Sequence, residues 1–256
     1  MMDLPAGVRM VKAGNPSAMT LDGTRTFVVG STQPAVIDPG PDDPAHLGAV
    51  LRLLAGVVPV VVLTTHAHPD HAAGARAISR ATTAPVLHPA DGELTATDAG
   101  ELQAVATPGH TPDHFCFLFN SSRGRVVFVG DLLMGEGYTT LVAPPEGNLH
   151  DYLASLERIR RLDPVLLLPA HGPPIRAPDK ALTSYRRHRE ERIGQLRAVL
   201  ERRPGPARPG ELVDEVYGEL DPRLRAAAVG SLEAVLAYLA RSGEASEEDG
   251  RWRPRA

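Results

Sequence analysis

Three histidines and one aspartate stand within six residues of one another: His66, His68, Asp70 and His71. They follow the longest apolar run of the chain, which ends at Leu63 and has the composition of a buried strand. Without a cation, four titratable side chains packed this closely would repel or desolvate one another. Imidazole and carboxylate groups are ligands of divalent metals. The motif therefore predicts a metal site where a strand ends, in a loop stiffened by Pro69.

Three later segments have the same form, because each places a candidate ligand just after a strand-like run. The ligands are His110 in Thr107-Pro-Gly-His, Asp131 in Phe128-Val-Gly-Asp, and His171 in Leu168-Pro-Ala-His. Ligands at successive strand ends can converge on one edge of a sheet. A structural zinc site closes with four ligands, so seven candidates predict two metal ions.

The apolar runs between turn signals have the length and composition of strands. They are Thr26–Val29, Ala35–Ile37, Val60–Leu63, Pro85–Leu87, Leu102–Val105, Phe115–Phe119, Val126–Val129 and Val165–Leu168. Helices are expected from Asp43-Pro44, after His71, and over Asp151–Leu162. Strands interleaved with helices predict an α/β fold of layered sheets with helices outside.

Strand-like runs stop after about Arg176, and we predict a domain boundary between residues 1–176 and 177–256. Helical periodicity takes over in a long helix that begins near Asp179, and two shorter helical segments follow it. The dipeptide Asp249-Gly250, next to Trp252, is a hairpin signal. Helices followed by a short hairpin predict a small C-terminal, winged-helix-like domain.

Composition and charge indicate where in the cell the protein is expected and which classes of partner it is expected to bind. The net charge of −4 does not indicate a nucleic-acid or membrane partner. The single cysteine, Cys116, permits no internal disulfide, and the first residues contain no apolar signal segment. We therefore predict a cytoplasmic protein with no membrane contact.

At this point the sequence resembles the metallo-β-lactamase superfamily, over residues from about 17 to 176. The resemblance implies a four-layer αββα sandwich. It implies one metal held by His66, His68 and His110, a second held by Asp70, His71 and His171, and Asp131 as the bridge between them. It also implies that both metals are zinc, with iron or manganese as the alternatives. The same resemblance favours Asp38, in Val36-Ile-Asp-Pro-Gly, as an acceptor that orients a ligand histidine, the alternative being an Asp that only forms the turn before Pro-Gly.

The branch that the chain resembles is the β-lactamase-like protein 2 branch, on Pro16–Thr24, Thr107–His114, Gly130–Gly137 and the helical tail. Its members include endoribonucleases that act on single-stranded RNA and fungal thioesterases that release polyketides. The resemblance therefore implies a phosphodiester or a thioester or ester substrate. Where the branch commonly has asparagine, this chain has Arg25. The low aromatic content, 4%, disfavours RNA, because single-strand binders stack bases on aromatic side chains.

The predicted reaction is hydrolysis by a hydroxide shared between the two metals. Asp70 and Asp131 are the candidate catalytic carboxylates. His114 is a donor that supports a ligand, a general acid that faces the substrate, or a buried strand histidine without a catalytic role. The arginines Arg186, Arg187, Arg189 and Arg192 could meet a polyanionic substrate, or they could pair with Glu190 and Glu191 on a solvated helix face. The alternative function is a nucleic-acid-binding regulatory protein whose metal site is only structural.

Overall fold

The computed structural model describes residues 4–135 and 140–255, and its first half is built on a mixed five-stranded sheet. The strands lie in chain order: β1 (Val8–Lys12), β2 (Arg25–Val29), β3 (Ala35–Ile37), β4 (Val61–Leu63) and β5 (Val86–Leu87). Strand β2 is antiparallel to both β1 and β3, whereas β3, β4 and β5 run parallel. The ends of β3 and β4 therefore lie side by side, which brings Asp38 next to the segment that carries His66.

The second sheet also has five strands, and neighbouring strands are again consecutive in the chain. It consists of β6 (Leu94–Thr97), β7 (Gly100–Ala106), β8 (Phe115–Ser121), β9 (Gly124–Gly130) and β10 (Leu166–Pro169). Only β9 and β10 are parallel. All eight strands predicted from apolar runs are confirmed. The sequence did not reveal β1 and β6, because β1 mixes apolar with charged residues and β6 is largely exposed.

The two sheets pack face to face over an apolar core. Phe27 and Phe128 meet there edge to face, with ring centroids 5.1 Å apart. Alternate residues of each strand point into this layer, as the twofold period of a strand requires, so Val126 and Phe128 face the core between the sheets. Val127 and Val129 point away and pack against the outer helices.

Helices cover the outer face of each sheet, which confirms the αββα sandwich. On the first sheet lie α1 (Pro44–Leu54) and α3 (Ala75–Thr82), with the short α2 (Pro69–Ala72) just before α3 in the chain, and on the second lies α4 (Leu149–Arg161). Helix α1 begins where predicted, because the Asp43 side chain accepts a hydrogen bond from the backbone N–H of His46 and Pro44 occupies the first turn.

The C-terminal segment contains α5 (Pro178–Arg202), α6 (Pro209–Tyr217), a 3₁₀ turn (Pro222–Leu224), α7 (Arg225–Arg241) and a hairpin of β11 (Ala245–Glu248) and β12 (Arg251–Pro254). The hairpin turns at Asp249-Gly250, both with positive φ. One apolar cluster joins α4 and the second sheet to α5, α6 and α7, so the core crosses the predicted boundary at residue 176. Within residues 4–135 and 140–255, no helix has the length and apolar character to cross a membrane.

Candidate metal centre

The structure brings all seven predicted ligands to one edge of the sandwich. The first four follow β4, His110 lies between β7 and β8, Asp131 follows β9, and His171 follows β10. Their ligand atoms form two groups, each within 4.8 Å. We call the first the three-histidine cluster (His66, His68 and His110, with Asp131) and the second the Asp70 cluster (Asp70, His71 and His171).

In the three-histidine cluster, ring nitrogens converge on one point. His68 Nδ1 lies 2.9 Å from His66 Nε2 and 3.1 Å from His110 Nε2. His110 Nε2 is in turn 3.7 Å from Asp131 Oδ2. Nitrogens in a tetrahedral zinc site, with bonds of about 2.0–2.1 Å, are separated by about 3.3 Å. The spacing of this cluster therefore fits a metal ion.

The Asp70 cluster has similar dimensions and shares Asp131 with the first. Asp70 Oδ2 lies 3.3 Å from His71 Nε2 and 3.2 Å from His171 Nε2. Asp131 Oδ1 lies 3.4 Å and 3.2 Å from the same two nitrogens. One oxygen of Asp131 thus faces each cluster, which is the arrangement a bridging carboxylate requires.

Two buried atoms at the centre support a cation there. Among the described residues, neither His71 Nε2 nor Asp131 Oδ1 has a hydrogen-bond partner. Leaving a buried polar atom unsatisfied costs about 1–3 kcal/mol. Both atoms point to the place where the two clusters meet, and a bound metal would satisfy both.

Asp38 and Thr65 orient the rings of His71 and His66 through hydrogen bonds to Nδ1, the ring nitrogen that does not face the clusters. Asp38 Oδ2 accepts hydrogen bonds from His71 Nδ1 at 3.0 Å and from Thr65 Oγ1 at 2.9 Å. With its proton given to Asp38, the Thr65 hydroxyl can accept from His66 Nδ1 at 3.1 Å. Placing the proton on Nδ1 leaves Nε2 of both rings free to bind a metal. The placement of Asp38 agrees with the orienting role predicted for it.

Two partners of the other rings were not found from the sequence. His110 Nδ1 donates to the carbonyl oxygen of Leu141 at 2.8 Å, and His68 Nε2 lies 3.0 Å from Glu146 Oε2. Both come from the segment that precedes α4, far along the chain from either histidine. A carbonyl carries no sequence signal, and Glu146 lies outside every recognised motif.

The pKa shifts place His66, His110 and Asp131 in the form that binds metal. Burial, together with the neighbouring imidazoles, lowers the pKa of His66 far below its ordinary value, and burial also lowers the pKa of His110. Burial opposes ionisation of Asp131, but the positive charge of His71 lowers its pKa well below the usual range. Burial also opposes charge on His71, yet Asp131 and Asp38 raise its pKa. A metal ion would displace that proton.

The general-acid role predicted for His114 does not fit its position. The ring is buried, Nδ1 lies 2.9 Å from Thr107 Oγ1, and Nε2 accepts from the backbone N–H of Asp131 at 3.2 Å. Burial lowers its pKa to about 3, so the ring is neutral at neutral pH. The other predicted role, a donor that supports a ligand, fits in position but not in direction, because the ring accepts from the backbone of Asp131 and so positions that residue.

Arg25 is buried and does not extend into the open part of the site. Its guanidinium donates to both carboxylate oxygens of Asp22, at 3.0 Å and 2.9 Å. Its neighbour Thr24 reaches the site instead, with Oγ1 3.3 Å from Asp70 Oδ2. The residue that departs from the family pattern is therefore buried in an ion pair with Asp22.

The predicted arginine cluster of α5 does not form a free anion-binding surface. Arg186 and Arg187 pair with Glu190 and Glu191, as the solvated-face alternative predicts. Arg192 donates to Gln195 Oε1 and to the Val216 carbonyl. Arg189 is buried, and its guanidinium donates to the carbonyl oxygen of Thr140. All four arginines thus form ion pairs or hydrogen bonds with other residues of the protein.

Two family descriptions match the sequence. The metallo-beta-lactamase superfamily matches residues 20–105 and 91–171, two overlapping segments that include every candidate ligand. The beta-lactamase associated winged helix domain matches residues 209–252, which span α6, α7 and most of the hairpin. The predicted winged-helix character of the C-terminal segment is thereby confirmed, whereas the boundary at residue 176 stays a prediction.

Two curated proteins and one solved structure resemble the chain over almost its full length. Lactamase-like protein aptB of Emericella nidulans is 31% identical, covering 97% of this chain and 85% of that protein. The beta-lactamase-like protein 2 homolog of Drosophila melanogaster is 31% identical, covering 94% and 90%. A beta-lactamase domain protein from Burkholderia ambifaria has the same fold, with a TM-score of 0.83 at 22% identity over 98% of this chain and 95% of that one.

Proposed function

This chain belongs to the metallo-beta-lactamase superfamily, and from that membership we propose that it is a hydrolase that uses two zinc ions to cleave an ester or thioester. The observation that carries the proposal is the position of Asp131, whose two carboxylate oxygens face different clusters. Zinc is proposed because five of the seven ligands are imidazoles, and iron or manganese are the alternatives.

The residues of the site have separate tasks. The three-histidine cluster and the Asp70 cluster would each hold one cation, and Asp131 would fix the distance between the two. When bound, the pair of cations supplies an activated water near neutral pH and stabilises negative charge on the substrate. Asp70 is partly exposed beside this centre, so its carboxylate can orient the attacking water.

The charges around the site favour a carbonyl substrate over RNA. The partly exposed side chains beside the clusters include the acidic Asp70 and Glu146, with 27% and 59% of their side-chain surface exposed. The α5 arginines are engaged within the protein and so offer no counter-charge to a phosphate backbone. Binding of single-stranded nucleic acid relies on a positively charged groove and aromatic stacking. An uncharged ester or thioester group is not repelled by these carboxylates, and its binding does not depend on a basic groove or on aromatic stacking.

The experiment is a paired assay of zinc-loaded protein on acyl thioesters and on single-stranded RNA. We expect thioester or ester hydrolysis that is lost in Asp131→Ala. Asp113→Ala is the matched control, because Asp113 is exposed and belongs to neither cluster. Cleavage of RNA without cleavage of thioesters would overturn the proposed substrate class. RNA binding without turnover of either substrate would favour a nucleic-acid-binding regulator, the alternative function.

A further inference from the structure

We propose that the C-terminal helices control metal binding at the three-histidine cluster, acting through the segment of residues 140–148, here called the 140–148 loop. The inference rests on the proposed function, because it takes the cluster to bind a cation. In this scheme Arg189 and Glu146 are positioning residues. Neither is a ligand, and both act through the imidazoles of His68 and His110.

The 140–148 loop contacts two of the three imidazoles of that cluster. Its Leu141 carbonyl accepts from His110 Nδ1 at 2.8 Å, and its Glu146 carboxylate lies 3.0 Å from His68 Nε2. In each ring the contacted nitrogen is the one opposite the nitrogen that converges on the cluster. The loop therefore fixes both the tautomer and the direction of two ligands.

The C-terminal helices hold this loop in place. Arg189 of α5 donates to the carbonyl of Thr140, the residue before Leu141, and its guanidinium lies over the ring of Tyr152, 5.1 Å from the centroid. Arg189 is only 6% exposed, so this hydrogen bond is shielded from water. On α7, a Cβ added at Gly230 would lie 2.8 Å from Cβ of Ala143, which shows how closely that helix approaches the loop.

The Asp70 cluster receives its support from a different part of the chain. Asp38 contacts His71 at 3.0 Å, and Thr24 contacts Asp70 at 3.3 Å. Tyr185 of α5 contacts the backbone of Met134, near Asp131, so it does not act through the 140–148 loop. A variant of Arg189 should therefore weaken one metal position and spare the other.

The test is a zinc titration of the full chain in competition with a chromogenic chelator, comparing Arg189→Met with wild type. We expect one of two zinc equivalents to bind about 10- to 100-fold more weakly in Arg189→Met. This is the usual effect when a ligand imidazole loses its hydrogen-bond partner, and without Arg189 the Leu141 carbonyl is no longer held against His110. Arg187→Met is the control, because Arg187 lies on the same helix, with 70% of its side chain exposed. It should bind both equivalents like the wild type.

Variants of Glu146 test the loop without disturbing the core. Its side chain is 59% exposed, so Glu146→Ala should fold, which circular dichroism would verify, and should weaken the same equivalent. Glu146→Gln keeps an acceptor oxygen for His68 and should bind zinc nearly like wild type. Wild-type affinity at both positions in folded Arg189→Met or Glu146→Ala overturns the inference, as does equal weakening of both. Two equivalents in a wild type that hydrolyses neither substrate would overturn only the proposed function, whereas a single equivalent overturns both.

Discussion

Asp38→Asn should remove one metal from the centre while leaving the shape of the side chain almost unchanged. The carboxylate of Asp38 is buried and accepts three hydrogen bonds: from the backbone N–H of Thr65 at 2.7 Å, from Thr65 Oγ1 at 2.9 Å, and from His71 Nδ1 at 3.0 Å. An asparagine that still accepts from the backbone of Thr65 must present its NH₂ group where Oδ2 was. That group can only donate, so His71 Nδ1 must become an acceptor and its proton moves to Nε2.

The size of the effect follows from this change of tautomer. A protonated Nε2 on His71 cannot bind a metal, so the Asp70 cluster loses one of its ligands. The opposite orientation of the amide would spare His71 but leave the buried N–H of Thr65 without an acceptor, at a cost of about 1–3 kcal/mol. The free protein therefore prefers the first orientation, and a metal that needs His71 Nε2 must reverse it at that cost. We expect zinc to bind the Asp70 cluster about 10- to 100-fold more weakly, which is about 1.4–2.7 kcal/mol.

The assay is the zinc titration against a chelator, with Asp43→Asn as the control. Asp43 is an exposed aspartate that caps α1 and has no contact with the ligands. The pattern should be the reverse of that in Arg189→Met, because Asp38 supports the other cluster. If folded Asp38→Asn binds two zinc ions as tightly as the wild type, the argument from the His71 tautomer is wrong.

Three further predictions concern metal content and stability. Purified protein should carry close to two metal equivalents per chain by elemental analysis, and Asp131→Ala should lose at least one; a single chelator-resistant metal in the wild type would contradict this. Gly109→Ala should lower the free energy of unfolding by about 2–4 kcal/mol in denaturant titrations. The reason is that Gly109 has φ +135° and a Cβ there would lie 2.3 Å from Cα of Tyr152. An unchanged denaturation midpoint would refute this prediction. Burial opposes ionisation of Asp22, but Arg25 and Lys12 lower its pKa to about 2 from 3.8. These contacts therefore stabilise the fold above pH 3.8, and the effect is lost as the pH falls to about 2. Asp22→Asn should therefore destabilise the protein at neutral pH and not below pH 2, and a loss that is independent of pH would count against the pairing.

The ligand set could be predicted from sequence because each ligand stands beside a strong local signal. His66, His68, Asp70 and His71 follow a buried strand directly, and the other three ligands each come at the end of a further apolar run. Strand ends at one edge of a sandwich lie close together whatever the detailed packing. Layered sheets with helices outside follow from the same runs, since strands and helices alternate along the chain, whereas the αββα order of the layers came from the resemblance to the family.

The outer contacts of the site could not be predicted, because they join loops that are distant in sequence. His68 and Glu146 are separated by 78 residues, and His110 and Leu141 by 31. The burial of Arg189 was missed for a related reason. Its helix presents several arginines in succession, and only the packing of α5 against Tyr152 distinguishes the buried one from its exposed neighbours.

The apolar cluster shared by α4, the second sheet and the C-terminal helices has a consequence for how the protein is made. Its members run from Val105 to Ala245, whereas the last candidate ligand is His171. Synthesis from the N-terminus therefore delivers every ligand before the ribosome has produced the helices that cover Leu156 and its neighbours. Until α7 emerges, the nascent chain displays an open apolar face of the kind that promotes aggregation and recruits chaperones. A chain that stops after His171 would carry a full set of metal ligands on an unfinished core.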